Sequence, residues 1–234
     1  MSISENVARA RERIGGAARR AGRNPQEIAL MAVTKTFPPE LIREAYAAGI
    51  RLFGENRVQE FAGKAEAVCD LGDAEWHMIG HLQTNKAAKA AELFAGVDSV
   101  DSLRLAEKLD AAAQKENKRL KVLIEINVGG ESAKSGIAPD SPELQAILES
   151  ADRLTNLEIC GVMTIPPFTD DPQRARPYFQ KLREVRDRIA ARRLSGIAMD
   201  VLSMGMSHDF EVAIEEGSTC VRVGTAIFGE RVKK

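Results

Sequence analysis

The feature that most constrains this sequence is an alternation of short apolar segments with helical patterns, repeated eight times along 234 residues. The segments predicted as strands are 28–33, 50–56, 76–80, 96–100, 121–128, 157–165, 198–202 and 219–223. One further helix, which we expect Ser4 to cap, precedes the first strand and ends near Gly22. Strands that alternate with helices in this way predict a parallel sheet covered by helices.

Eightfold β/α alternation in a chain of this length is typical of a closed (β/α)₈ TIM barrel. No linker rich in Pro or Ser and no change in composition divides the sequence, so residues 1–234 are predicted to form a single domain. The alternative is an open, doubly wound sheet. It is less favoured, because the first strand-to-helix turn lacks the glycine-rich phosphate fingerprint of dinucleotide-binding folds.

Composition indicates which partners the protein can bind and in which compartment it is found. The formal net charge is -1, which argues against a nucleic acid held by bulk electrostatics. The cysteines Cys69, Cys160 and Cys220 are odd in number, far apart and without metal-ligand spacing, which indicates a reducing compartment. The amino terminus lacks a signal pattern and no run of about 18 apolar residues follows, so we expect a cytoplasmic protein.

The lysine that follows the first predicted strand is the leading candidate for chemistry. Lys35 comes two residues after Val33 and just before Phe37 and two prolines, which end the strand and open a helix. Ligands bind at the carboxyl ends of the strands in parallel barrels, and a partly desolvated lysine there can act as an amine nucleophile toward an aldehyde. The alternative is an ordinary surface lysine at a strand end.

Small and hydroxyl-bearing residues follow strands seven and eight, where this fold usually binds phosphate. They are Ser203, Gly205 and Ser207 after strand seven, and Gly224 and Thr225 after strand eight. Small residues let backbone N–H groups approach an anion, and the hydroxyls can donate to it. A single such residue would more often be a helix cap or a tight turn, but two segments at the two expected positions favour a phosphate site. Met204 and Met206 flank Gly205 and either pack against a ring or simply fill the core.

Arg222 lies one alternation step inside Gly224, so both should point into the barrel, away from Val221 and Val223. A buried arginine needs an acceptor, which would be either a carboxylate such as Glu55 or a ring nitrogen of a ligand. Together with an amine and a phosphate site, a ring nitrogen suggests pyridoxal 5′-phosphate. The histidines are less informative: His77 is expected to be a satisfied interior residue, and His81 either a ligand contact or a local cap.

Several segments, in order and with matching spacing, resemble the pyridoxal phosphate homeostasis protein family over nearly the full length. These are AVTK at 32–35, FGENRVQE at 53–60, WHMIGHLQTNK at 76–86, SAKSG at 132–136, LSMGMS at 202–207 and VRVGTAIFG at 221–229. The resemblance implies a barrel like the N-terminal domain of bacterial alanine racemase, with pyridoxal phosphate held on Lys35 as an imine. It also implies that Asn56 lies beside the ring and Arg222 faces the ring nitrogen, and that the phosphate is held by Ser203, Ser207, Gly224 and Thr225.

The same resemblance implies that the protein buffers the cofactor and delivers it to apo-enzymes, without robust turnover. Ala133 and His208 differ from the residues usual in the family, which affects the loop at 129–137 and leaves the role of Lys134 open.

The alternative function is a pyridoxal-phosphate-dependent amino-acid racemase or decarboxylase. Racemisation needs acid-base groups on both faces of the substrate, whereas Tyr46 and Tyr178 fall in predicted helices away from the strand ends. The chain also ends soon after strand eight, without the second domain of alanine racemase, which makes a monomer the expected state. A third possibility, a barrel enzyme for another sugar or nucleotide phosphate, would leave Lys35 without a particular task.

Overall fold

A computed structural model describes residues 2–131 and 135–230. Its eight strands are β1 Ala29–Val33, β2 Leu52–Glu55, β3 Glu75–Met78, β4 Gly96–Val100, β5 Leu120–Glu125, β6 Leu157–Met163, β7 Ile197–Met206 and β8 Cys220–Val223. All neighbouring strands are parallel, and β8 pairs with β1 to close the barrel. The predicted (β/α)₈ barrel is therefore confirmed, and the open doubly wound sheet is excluded.

Helices surround the barrel. They are α1 Ile3–Arg20, α2 Pro39–Ala47, α3 Val58–Ala62, α4 Ala87–Leu93, α5 Leu103–Lys115, α6 Pro142–Ser150, α7 Arg176–Ala191, α8 Phe210–Glu215 and α9 Thr225–Phe228. The extra helix α1 packs against α2, α8 and α9, across the seam where β8 meets β1. Ser2 caps α1 rather than the predicted Ser4, because Ser2 and Glu5 form a reciprocal capping box. No helix within the described residues is long and apolar enough to cross a membrane.

Side chains alternate between two environments along each strand. The outward-facing residues, among them Phe53, Trp76 and Ile124, pack under the helices and form the main core. The rings of Phe53 and Trp76 stack with their centroids 4.7 Å apart. The inward-facing residues form only a small apolar cluster around Met31 and Ile79. Charged side chains also face the barrel interior, among them His77 and Asp98.

An ion pair links β3 and β4 inside the barrel. His77 Nδ1 donates to Asp98 Oδ1 over 2.8 Å. Burial alone would lower the pKa of His77, but Asp98 and Glu75 outweigh it and raise that pKa to about 9. A Cβ on Gly96 would lie 2.6 Å from the imidazole, so the pair requires glycine there. The prediction of a satisfied interior histidine is correct for Nδ1 only, because Nε2 is buried without a hydrogen-bond partner among the described residues.

Candidate functional site

The turn that carries Lys35 is held on both sides. The buried Thr34 donates from Oγ1 to Glu55 Oε1 over 2.7 Å. Thr36, whose φ of 67° lies in the left-handed region, donates its backbone N–H to Glu60. These two anchors leave Lys35 half-buried at the carboxyl end of β1, in the wall of an open cleft of about 250 Å³. That volume is close to the lower end of typical ligand pockets and suits a small ligand.

The cleft is cationic and otherwise largely apolar. Its described lining consists of Val33, Lys35, Phe37, Asn56, Ile79, Ile165, Phe168, Met206, Ser207, His208, Arg222, Gly224 and Thr225. This set includes a lysine and an arginine, and it includes no carboxylate. An anionic ligand that carries an apolar ring therefore matches the lining in charge and polarity.

Arg222 is fixed by neutral acceptors. It is 3% exposed, and its guanidinium donates to Ser203 Oγ and to the Thr164 carbonyl oxygen, each over 2.7 Å. The alternative in which Glu55 accepts from Arg222 is wrong. Gly54 faces the barrel interior, against Met31 and Ile79, so the next side chain in β2 faces outward.

Glu55 instead pairs outside the barrel with Lys64, whose Nζ lies 3.1 Å from Glu55 Oε1. Burial raises the pKa of Glu55. This carboxylate therefore supports the turn before Lys35 and leaves the guanidinium of Arg222 free to meet a ligand on its cleft side.

The loops after β7 and β8 meet at Ser207. Its Oγ accepts from the backbone N–H of Gly224 over 3.2 Å and from that of Ala226 over 3.3 Å. Thr225 lies next to them and is exposed to the cleft. The structure thus brings Ser207, Gly224 and Thr225 together with Lys35 and Arg222 in one cleft.

Three residues predicted for the site do not line the cleft. Ser203 is fully buried beneath Arg222, and Met204 is fully buried in the core under the helices. A Cβ on Gly205 would lie 2.6 Å from that of Ala213 in α8, so this glycine permits helix packing. Met204 and Met206 face opposite sides although they are two residues apart. The pairing of β7 with β8 is irregular between Ser203 and Met206, and Gly205 has a φ of 92° there, which reverses the alternation.

Asn56 lines the cleft as predicted, and its backbone explains a neighbouring glycine. A Cβ on Gly80 would lie 2.4 Å from the Asn56 carbonyl oxygen, so β2 and β3 can end side by side only with glycine there. His81 is neither a cap nor part of the described cleft lining. Its side chain is 56% exposed, and its Nδ1 lies 3.1 Å from Asp101 Oδ2.

Sequence reasoning missed two groups. The first is the apolar wall of the cleft, formed by Phe37, Ile79, Ile165 and Phe168. The first three follow strand ends within a few residues, so their position in the sequence could have indicated the cleft, whereas that of Phe168 could not. The second is Glu125 at the end of β5, which is 5% exposed and whose Oε2 is buried without a partner among the described residues. Burial, assisted by Asp101, raises the pKa of Glu125 to about 7. Ser132 and Lys134 of the predicted loop lie outside the described residues.

Comparison with known proteins places this cleft in a family. Residues 3–232 match the model for the alanine racemase N-terminal domain. The chain is 49% identical over 231 residues to a protein of Aquifex aeolicus, a match that covers 99% of both chains. It is 44% identical over 230 residues to a protein of Pseudomonas aeruginosa, covering 98% of this chain and 96% of that one. Both relatives are named pyridoxal phosphate homeostasis protein.

Solved structures support the same family assignment. PipY of Synechococcus elongatus, solved with pyridoxal phosphate bound, superposes with a TM-score of 0.84 at 37% identity, covering 97% of this chain and all of that one. Alanine racemase from Clostridium difficile superposes with a TM-score of 0.71 at 15% identity, which shows a shared fold; the match covers 58% of that longer chain. On these matches and this barrel, the chain belongs to the pyridoxal phosphate homeostasis protein family, built on the fold of the alanine racemase N-terminal domain.

Proposed function

We propose that this protein binds pyridoxal 5′-phosphate in the cleft beside Lys35 and serves in intracellular homeostasis of that cofactor. One observation carries the proposal: an amine, a guanidinium and a hydroxyl- and amide-lined loop pair share a cleft whose described lining has no carboxylate. The relatives' name and the cofactor bound to PipY support the same assignment.

Each part of this cofactor has a matching group in the cleft. The amine of Lys35 would condense with the aldehyde, lose one water and hold the cofactor covalently as an imine. The Ser207 hydroxyl can rotate from acceptor to donor, and it would bind the phosphate with Thr225 and the backbone of Gly224. The guanidinium of Arg222 would face the ring nitrogen. A cation there opposes protonation of the ring and so makes it a weaker electron sink than one paired with a carboxylate.

We infer that the protein carries the cofactor and hands it to apo-enzymes, and that it has no robust turnover of amino acids. Neither tyrosine belongs to the described cleft lining. Tyr46 lies on α2, where its hydroxyl donates to Asp73, and Tyr178 lies on α7. A cleft that stays open to water suits release better than controlled carbanion chemistry. We further propose that the chain works as a single-domain monomer in the cytoplasm.

The first test is an absorption spectrum of the protein with added pyridoxal phosphate, before and after borohydride, followed by mapping of the reduced peptide. We expect a band near that of a lysine imine, its loss on reduction, and the added mass on Lys35. Lys35→Arg should abolish the band, whereas Lys89→Ala, which alters an exposed lysine of α4, should keep it. No band in the wild type, or a mass on another lysine, would refute the assignment.

A second test separates carrier from enzyme. The loaded protein is mixed with an apo-enzyme that needs pyridoxal phosphate, and the recovery of that enzyme's activity is followed. Amino acids are incubated separately with the loaded protein and analysed for racemisation and decarboxylation. Transfer of the cofactor to the apo-enzyme, without racemised or decarboxylated amino acids, supports a carrier. Multiple turnovers that are lost in Lys35→Arg would establish the enzyme instead.

A further inference from the structure

Two large apolar side chains are exposed among the described residues, and both lie at the mouth of the cleft. Ile165 is 41% exposed and Phe168 is 78% exposed. Full burial of such a side chain stabilises a protein by about 1.5–3 kcal/mol, so Phe168, at 78% exposed, forgoes most of that gain and Ile165 forgoes part of it. Single exposed apolar residues are common, but a pair confined to the rim of one cleft indicates a use there.

Phe168 is held in place by His208. The two rings lie 5.7 Å apart between centroids at 34°, a distance at which aromatic groups attract each other. His208 Nε2 donates to the Asp170 carbonyl oxygen over 3.0 Å. This imidazole therefore connects the loop after β6, which carries Phe168, with the loop after β7, which carries the proposed phosphate contact Ser207.

The loop around Phe168 is restrained by its own chemistry as well. Pro166, Pro167 and Pro172 fix three φ angles in and next to it. The Thr169 hydroxyl donates to the Asp171 carbonyl oxygen over 2.9 Å. The exposure of Phe168 thus belongs to a defined loop conformation.

From this arrangement we propose that Phe168, positioned by His208, forms the outer wall of the cleft and determines how long the bound cofactor is retained. The inference rests on the proposed function. Val33 and Ile79 line the inner part of the cleft, while Ile165 and Phe168 supply apolar surface on its solvent side. Phe168 would shield one side of the ring from solvent while the cleft stays open, and His208, which also lines the cleft, contributes to retention by holding Phe168 in place. An aromatic contact of this kind corresponds to about a 2- to 10-fold change in release rate.

The test measures spontaneous release. Wild type, Phe168→Ala, Phe168→Leu, His208→Ala and Lys89→Ala are loaded with pyridoxal phosphate and diluted into buffer with a phosphatase that destroys free cofactor. The decay of the imine band is then followed. We expect about 2- to 10-fold faster decay for Phe168→Ala and His208→Ala, and a smaller increase for Phe168→Leu, which keeps apolar cover. Lys89→Ala, a control on the exposed face of α4, should match wild type. The absorption maximum should be the same in all five proteins.

Three outcomes overturn the proposal, and they are distinct. Unchanged release from Phe168→Ala, with a normal imine band and unchanged transfer to an apo-enzyme, removes the retention role and leaves the proposed function standing. Unchanged spontaneous release with slower transfer to an apo-enzyme assigns Phe168 to docking of the acceptor instead. Absence of the imine band in wild type refutes the proposed function and the retention role with it. Because Phe168 is largely exposed, its variants do not depend on core packing, and they decide the matter even if His208→Ala folds poorly.

Discussion

Replacing Glu125 with glutamine is expected to remove a loss of stability that the wild-type protein suffers between pH 5 and pH 8. Glu125 lies inside the barrel at the end of β5, 5% exposed, with Oε2 buried and unpartnered within the described part of the chain. Burial and the neighbouring Asp101 raise its pKa from 4.5 to about 7, and the opposing effects of Arg222 and His81 are too weak to restore it.

Proton linkage gives the sign and the size of this change in the free energy of unfolding. The folded protein keeps a proton on Glu125 that the unfolded chain has already released above pH 4.5, so stability falls as the pH rises through this window. The full difference in pKa corresponds to about 3 kcal/mol, of which about 2–3 kcal/mol is lost between pH 5 and pH 8. Glutamine has no proton to lose. Any cost of burying its amide is the same at both pH values and cancels from the comparison.

The assay is urea unfolding of the ligand-free protein at several pH values, followed by fluorescence of Trp76, which is the single tryptophan and is packed against Phe53. The free energy of unfolding of the variant minus that of wild type should rise by about 2–3 kcal/mol from pH 5 to pH 8. Glu149→Gln, on the exposed face of α6, serves as the matched control and should follow wild type. Parallel curves for Glu125→Gln and wild type would show that Glu125 is hydrated or paired, and would refute the reasoning.

Asp98→Asn should cost about 3 kcal/mol near pH 6, because it removes the carboxylate nearest to the buried His77 imidazolium and leaves only the more distant Glu75. Urea unfolding should show this deficit shrinking as the pH rises through about 9, the pKa of His77, where wild type loses the contribution too. Gly80→Ala should push the Asn56 backbone away and weaken cofactor binding at least several-fold in an equilibrium titration, whereas Gly72→Ala, where an added Cβ meets nothing within 4 Å, should not. Arg222→Lys should weaken binding by about tenfold, since lysine cannot reproduce both donor contacts, and unchanged affinity would remove Arg222 from the site.

Much of the fold was predictable because the spacing of apolar residues within each segment indicates whether that segment is a strand or a helix. Alternation of strands with helices predicted the barrel, and strict period-two alternation in β8 correctly turned Arg222 and Gly224 inward. The position of Lys35 also followed from a local pattern, since the residue after a buried strand must lie at its carboxyl end. The predicted end of β7 at residue 202 is wrong. The strand continues to Met206, because Ser203 and Met206 still pair with neighbouring strands.

The sequence by itself determined the closed barrel, the lysine at its mouth and the inward arginine, because each depends only on local periodicity and chain direction. Tertiary structure decided which groups meet. Met206 reaches the cleft and Met204 does not, because an irregularity in pairing with β8 reverses the alternation. The ring contact between Phe168 and His208 likewise joins segments distant in sequence. The burial of Glu125, whose Oε2 has no hydrogen-bond partner among the described residues, also depends on the assembled barrel. Such contacts depend on strand register and on how the loops are placed around the rim, which no local pattern contains.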